Sequence, residues 1–203
     1  ERLEVVPQLA TGFRWDNPTT LTITLRQGVR FHDGEPMDAE AVRYSINRHL
    51  TMQGSFRRSE ISEIDRVEVV DPQTVRIVLK APSASFLSAL TDRAGMIVSP
   101  KAAEAAGRNF GNRPICAGPF RFVERVAQER IVVERFRDYW DAANIHFDRV
   151  TYITIPDNTV RLANLQSGAV EFVERMEPDD MTTISRNRNL RALAVDELGY
   201  QGI

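Results

Sequence analysis

The residues best suited to bind metal or to perform catalysis are few and far apart in this sequence. They are three histidines, His32, His49 and His146, and one cysteine, Cys116. A zinc site needs several such ligands at short spacings, for example a Cys-x-x-Cys pair. No such spacing is present, so the sequence predicts no metal site. His32 lies beside Asp33 in a turn-rich stretch, where we expect it to form hydrogen bonds as a loop residue.

Cys116 is the residue that raises the question of nucleophilic catalysis, because it lies in a stretch rich in glycine and proline that could expose it. A nucleophile also needs a base within reach, and the sequence alone places none of the histidines beside it. Gly-x-Ser-x-Gly and glycine-rich phosphate-binding motifs are absent. Paired acids such as Asp179 and Asp180 suit a solvated helix start. We therefore expect no enzymatic activity and no cofactor, with a Cys116-dependent enzyme as an alternative.

The composition is typical of an ordinary globular protein. Of 203 residues, 42% are hydrophobic and 27% are charged, and the net charge is −2. A near-neutral chain lacks the basic excess that drives binding to nucleic acid or anionic membranes. No apolar run approaches the roughly 20 residues that span a bilayer. These observations exclude a nucleic-acid-binding domain and a transmembrane protein from the expected classes.

The hydrophobic pattern predicts strands interleaved with helices, which is a mixed α/β class. Strict alternation of Leu21, Ile23 and Leu25 indicates a half-buried strand. Asp38, Ser99 and Asp157 are expected to cap helices. The helix of Ser99 has Pro100 in its first turn and Gly107 at its end, and the helix of Asp157 runs to Gly168. The other expected strands are residues 64–70, 74–79, 119–126, 129–136, 148–155, 170–173 and 190–195, and the other expected helices are residues 82–91, 157–168 and a helix opened by Pro178. The irregular residues 107–118 suggest a crossover between domains.

Two segments resemble signatures of the family 5 extracellular solute-binding proteins, the dipeptide-, oligopeptide- and nickel-binding components of ABC importers. Residues 25–42, LRQGVRFHDGEPMDAEAV, are similar to that family's LR-x-GV-x-FHDG-x-P signature. Residues 116–122, CAGPFRF, resemble its GTGPY-x-F crossover. Two later runs follow in the family's order, residues 134–140 (ERFRDYW) and residues 155–168, which contain IPD and LQSG. The resemblance therefore extends over essentially the whole chain.

The resemblance implies a periplasmic-binding-protein type II-like fold of mixed sheets with flanking helices. Residues 1–113 would form a small accessory α/β domain, and residues 114–203 part of the first ligand-binding lobe. The chain starts at Glu1 without a methionine and ends in an apparent loop entering a strand. We therefore expect a fragment of a longer protein, in which the second ligand-gripping lobe would follow Ile203.

The chain departs from the family pattern at several positions. The threonine of GTG is Ala117 here, which removes a hydroxyl from the crossover. The acidic residue that follows LQSGE-x in the family is replaced by Phe172, and Val170 stands where the family usually has glutamate or a hydrophobic residue. In the nickel-binding branch an arginine precedes the Ser-Pro helix start, and an ungapped reading places Met96 there. These departures concern the class of ligand, and Met96 argues against nickel.

The resemblance implies a substrate-binding component that captures a peptide or similar small solute and delivers it to the permease subunits of an ABC importer. It would be a monomer, in the periplasm of a Gram-negative bacterium or anchored there by a lipid. The candidate solute contacts are Arg93, Met96, Gly118, Phe120 and Tyr200. A sensor of the same fold that acts on a membrane receptor, and a free-standing interaction domain, are the other hypotheses.

Overall fold

The structure, a computed structural model, describes residues 4–194 of the chain. Its backbone forms two compact units. The larger consists of the chain up to Val126 together with Ile131–Tyr152, and the smaller consists of Ala127–Arg130 together with the chain from Ile153. The boundary predicted between residues 113 and 114 rests on the family resemblance. The division into two compact units does not test it, so it stays a prediction.

A four-stranded antiparallel sheet forms the base of the larger unit. Its strands are β1 (Ala10–Asn17), β2 (Thr20–Leu25), β3 (Ile64–Asp71) and β4 (Thr74–Leu79), in the order β1-β2-β4-β3. Alternate residues point to opposite faces of a strand, so Leu21, Val75 and Ile77 share one face and are fully buried. This face is the floor of the hydrophobic core.

Helix α1 (Ala39–Thr51) packs on β3 and β4 through an apolar stripe that includes Val42 and Ile46. The side chain of Asp38 accepts a hydrogen bond from the Ala41 N–H at 3.0 Å and so caps the helix, as the sequence predicts. Both the strand period and the helix cap were therefore readable from the residues.

The opposite face of the sheet carries a ladder of ion pairs. Asp16 pairs with Arg14 at 2.7 Å and accepts a 2.6 Å hydrogen bond from the Thr22 hydroxyl. Arg76 lies between Asp16 and Glu68, and Glu68 pairs with Arg66 at 2.8 Å. Hydrogen bonds and arginine charges lower the pKa of the Asp16 and Glu68 carboxyls. This face is therefore polar, in contrast to the apolar face that carries the helix.

A second, three-stranded sheet follows two short helices. The helices are α2 (Phe86–Ala89) and α3 (Pro100–Ala106), and the strands are β5 (Phe120–Val126), β6 (Arg130–Arg135) and β7 (Arg149–Ile153), in the order β5-β6-β7. Ser99 caps α3 through a 3.3 Å bond from the Ala102 N–H. Gly107 ends the helix with a φ of +53°, a left-handed conformation that glycine adopts without strain.

The smaller unit contains α4 (Asn158–Ser167) and α5 (Asp180–Arg186). The Asp157 side chain accepts a 2.9 Å hydrogen bond from the Val160 N–H, and Gly168 closes α4 with a φ of +76°. Both ends of this helix agree with the sequence prediction.

Four details of the predicted elements differ from the structure. Strand β1 was not expected, and the helix expected over residues 82–91 is reduced to α2. Residues 170–173 are irregular because the N–H groups of Ala169 and Val170 both donate to the Asn164 carbonyl at the end of α4. These amides are already used and cannot begin a strand ladder. Residues 190–194 have no regular structure, and residue 195 lies outside the described part of the chain.

Candidate functional site

The site is built on a tight turn at residues 31–34, called here the His32 loop. Gly34 donates from its N–H to the Phe31 carbonyl at 2.9 Å and has a φ of +84°. Phe31 is fully buried and anchors the turn in the core, while its N–H donates to the Glu35 carbonyl at 2.9 Å. A bulky apolar anchor followed by a glycine in the left-handed region explains why this sequence forms a turn here.

The His32 loop holds a second segment, residues 115–119, called here the crossover segment. The His32 N–H donates to the Cys116 carbonyl at 2.9 Å, and His32 Nε2 lies 3.0 Å from the Gly118 carbonyl oxygen. Further along the segment, the Phe136 N–H donates to the Pro119 carbonyl at 2.8 Å. The crossover segment is therefore fixed from the loop and from the end of β6.

A third segment, residues 98 and 99, completes this arrangement. Val98 pairs with Cys116 as a single β-bridge, and the Ser99 N–H donates to the Ile115 carbonyl at 3.0 Å. The Ser99 hydroxyl donates to Asp33 Oδ2 at 2.6 Å. Hydrogen bonds thus link the His32 loop, the crossover segment and the start of α3.

A pocket of about 220 Å³ opens beside the crossover segment within the larger unit. Phe120 and Phe122 of β5 and Ile131 and Val133 of β6 form its apolar wall, and the remaining lining residues are His32, Gly111, Pro114, Cys116 and Arg125. Pockets that hold drug-sized ligands start at about 300 Å³, whereas a cavity of about 150 Å³ holds benzene. The pocket is therefore the size of one side chain.

The imidazole of His32 is neutral at physiological pH. Burial is the main cause that lowers its pKa below 6.5, helped by the Arg121 guanidinium and opposed by the Gly118 carbonyl and Asp33. A carbonyl oxygen can only accept a hydrogen bond. Nε2 therefore carries the proton and donates to Gly118.

Burial raises the pKa of the Cys116 thiol. A nucleophilic cysteine needs the opposite shift, because the thiolate is the reactive form. The structure thus gives the Cys116-dependent enzyme no support. Residues 4–194 also contain no group of three His, Cys, Asp or Glu side chains that could hold a metal ion.

Of the predicted solute contacts, Phe120 lies in the pocket and Gly118 lies beside it, whereas Arg93 and Met96 are not among the residues that line it. Gly118 bonds His32, and Phe120 lines the pocket. Arg93 and Met96 lie in and after the short helical turn Arg93–Gly95, where both side chains are exposed. Tyr200 lies outside the described residues.

Sequence reasoning missed the other pocket residues, although their signal was present. Phe120 and Phe122 alternate along one strand, as Ile131 and Val133 do along the next. Two such strands in one hairpin place all four side chains on one face. This reading needs the register of the hairpin, which the sequence does not show.

Tyr139 and Trp140 are packed within the protein. The Arg26 guanidinium lies 3.8 Å from the centre of the Trp140 ring, and the Tyr139 ring is 5.3 Å from it. Trp140 also packs against the core cluster. Trp140 is thus occupied by contacts within the protein.

The chain matches the family described as bacterial extracellular solute-binding proteins, family 5, over residues 4–203. It is 34% identical over 194 residues to the glutathione-binding protein GsiB of Salmonella paratyphi A. That match covers 95% of this chain and 38% of GsiB. The chain therefore spans less than half the length of this relative.

Solved structures show the same fold. AgaA of Agrobacterium tumefaciens R10, solved with agropinic acid, superposes with a TM-score of 0.85 at 28% identity, over 91% of this chain and 38% of AgaA. CtaP of Listeria monocytogenes, an ABC transporter substrate-binding protein, gives 0.77 at 28% identity, over 89% of this chain and 38% of CtaP. The mixed α/β architecture is thus that of the binding proteins. Within residues 4–194 no helix has the length and hydrophobicity needed to cross a bilayer.

Proposed function

Because the chain belongs to the bacterial extracellular solute-binding proteins of family 5, we propose that it serves as part of the substrate-binding component of an ABC importer. The component captures a peptide or similar small solute between two lobes and delivers it to the permease subunits. Solute binds the closed arrangement of the lobes more tightly, and this difference in affinity drives closure. The observation that carries the proposal is the family match over residues 4–203.

The relatives favour a small polar or peptide-like solute. GsiB is a glutathione-binding protein, and AgaA was solved with agropinic acid. Glutathione is itself a short peptide. The pocket beside the crossover segment has room for one side chain and an apolar wall, which suits one residue of such a solute.

The proposed solute contacts are Gly118, Phe120, Arg93, Met96 and Tyr200. Phe120 offers an aromatic face at the pocket, and Gly118 lies two residues before it on the crossover segment. Arg93 is an exposed cation that suits a solute carboxylate, and 60% of the Met96 surface is exposed.

We place the protein in the periplasm, or anchored outside the cytoplasm by a lipid, as a monomer that binds the permease and no nucleic acid. The name of its family supports a position outside the cytoplasm. The same architecture would serve a sensor that reports solute to a membrane receptor. Importer and sensor differ in the partner and share the solute-binding step.

The test is to identify the solute. The full-length protein that contains this chain is purified without denaturation and then unfolded, and the small molecules it releases are identified by mass spectrometry. Thermal-shift titrations with glutathione, short peptides, opines and nickel-histidine follow, with and without the substitution Phe120→Ala. We expect a stoichiometric peptide-like molecule and a saturable rise in melting temperature. An empty protein with no shift across the panel would remove the support for solute capture.

A further inference from the structure

His32 makes three different contacts with segments that are distant in sequence. Its main-chain N–H donates to the Cys116 carbonyl, and its ring Nε2 bonds the Gly118 carbonyl. Its ring also packs edge-on against Phe136, with the ring centres 4.9 Å apart. Phe136 in turn bonds Pro119. His32 is therefore one of the residues that fix the crossover segment, and its ring contributes the contact to Gly118 and the packing against Phe136.

The second ring nitrogen of His32 is in a different situation. Nδ1 is buried and has no hydrogen-bond partner within residues 4–194. As long as the ring is neutral, Nδ1 is an uncharged acceptor with a lone pair. A proton added there would be a buried, charged donor without an acceptor, which is costly.

The charges around the ring do not compensate for a second positive charge. Arg121 of β5 lies close enough to disfavour protonation, although it also pairs with Glu134 of β6 at 2.6 Å. Arg125 lines the same pocket. Asp33 favours protonation from the loop, but the Ser99 hydroxyl already bonds its Oδ2. The Cys116 thiol, whose pKa is raised by burial, is uncharged.

We propose that His32 is a positioning residue of the solute-binding site, whose neutral ring holds Gly118 and Phe120 in place and whose protonation releases the crossover segment. The link to solute rests on the proposed function. The positioning itself does not, and it can be measured in the absence of any solute.

Cys116 supplies the measurement, because it is the only cysteine in the chain and lies two residues before Gly118, whose carbonyl accepts the bond from the His32 ring. The rate at which methyl methanethiosulfonate labels Cys116, a half-buried thiol that lines the pocket, reports how accessible the crossover segment is. At each pH this rate is divided by the rate for the urea-unfolded chain, which removes the intrinsic pH dependence of the thiol.

Three variants are compared with the unsubstituted chain. His32→Gln keeps a donor to Gly118 and cannot take up a proton, whereas His32→Ala removes the donor. His49→Gln is the matched control, since His49 is also half-buried with its pKa lowered mainly by burial, and it lies near the end of α1. Far-UV circular dichroism and thermal melting show whether each variant is folded.

We expect His32→Ala to raise the normalised labelling rate about three- to tenfold at pH 7.5, the effect of losing one hydrogen bond. His32→Gln should stay within about twofold of the unsubstituted chain. Lowering the pH below about 6.5 protonates the opened form first, because the pKa of the held ring is depressed. The normalised rate of the unsubstituted chain should therefore rise, at most about tenfold per pH unit, while that of His32→Gln should not.

The proposal is overturned if folded His32→Ala labels at the unsubstituted rate, or if His49→Gln abolishes the pH dependence as completely as His32→Gln does. If His32→Ala does not fold, the comparison between His32→Gln and the unsubstituted chain across pH decides alone. Thermal-shift titration of the same variants with glutathione then tests the link to solute. If the labelling rates depend on His32 and on pH as expected but neither glutathione nor a peptide binds, the proposed function is rejected and the positioning role of His32 is kept.

Discussion

Ser99 shows how a single buried hydroxyl serves two parts of the fold. It donates to Asp33 Oδ2 at 2.6 Å and accepts from the Ala102 N–H at 3.3 Å, and its side chain is fully buried. The same oxygen therefore caps α3 and fixes the His32 loop. The sequence predicts the cap from the Ser-Pro pair, but the bond to Asp33 joins residues 66 positions apart.

We expect Ser99→Ala to lower the free energy of unfolding by about 1–3 kcal/mol, because it removes a helix cap and the hydrogen bond to Asp33 Oδ2. Urea unfolding followed by circular dichroism measures this loss. Ser85→Ala is the control, since Ser85 is exposed and its side chain does not cap α2. It should cost less than about 0.5 kcal/mol. Equal effects of the two substitutions would show that the Ser99 bonds contribute no net stability.

The helices of the smaller unit differ in how their first turns are satisfied. Asp157 caps α4 with a 2.9 Å bond, whereas Asp179 precedes α5 and makes no such bond through its side chain. Asp179 itself has helical backbone angles, and a capping side chain normally needs an extended backbone at that position. Two aspartates at apparently equivalent positions in the sequence therefore have different roles.

This difference predicts unequal effects of alanine at the two positions. Asp157→Ala should destabilise α4 by about 1 kcal/mol, and Asp179→Ala should change α5 by only a few tenths of that. Hydrogen exchange of the amides in the first turn of each helix, followed by mass spectrometry, resolves the two effects. A larger increase in exchange rate in α5 after Asp179→Ala than in α4 after Asp157→Ala would contradict the assignment of Asp157 as the cap.

At the scale of the whole molecule, the hydrophobic core lies in one of the two units. The core cluster extends from Leu21 to Ala117, and Trp140 is the last residue packed against it. All of these residues belong to the larger unit. Contacts within this part of the chain are therefore sufficient to bury its apolar face, and we expect it to fold without the residues of the smaller unit that follow Tyr152.

A chain ending at Tyr152 should accordingly unfold in one cooperative transition with urea. Its m-value, the slope of the free energy of unfolding against urea concentration, should be smaller than that of the full chain. The m-value scales with the surface exposed on unfolding, and the shorter chain buries less surface. A chain ending at Val126 is the comparison, because it lacks β6 and β7 and the buried residues Val132 and Phe136. The longer chain should be clearly the more stable. A gradual, non-cooperative loss of structure in the chain ending at Tyr152 would show that its core depends on the later residues.

Most of the features that the sequence predicts depend on interactions between residues close together along the chain. Local geometry accounts for three kinds of feature. These are the strands at residues 20–25, 64–71 and 74–79, the helix caps Asp38, Ser99 and Asp157, and the glycines that end helices, Gly107 and Gly168. Such features depend on steric preference and on hydrogen bonds within a few residues. The order of the family motifs along the chain was equally available, and with it the family.

The site required the tertiary structure, because its defining contacts are non-local. His32 and Gly118 are 86 positions apart, and Ser99 and Asp33 are 66. The pocket wall depends on how β5 and β6 align, and the neutral state of His32 depends on burial by groups from other elements. The sequence by itself determined most of the strands and helices, the turn-rich stretch around His32 and the resemblance to a family. Only the fold decided which of those residues meet, since burial and charge act through space and not along the chain.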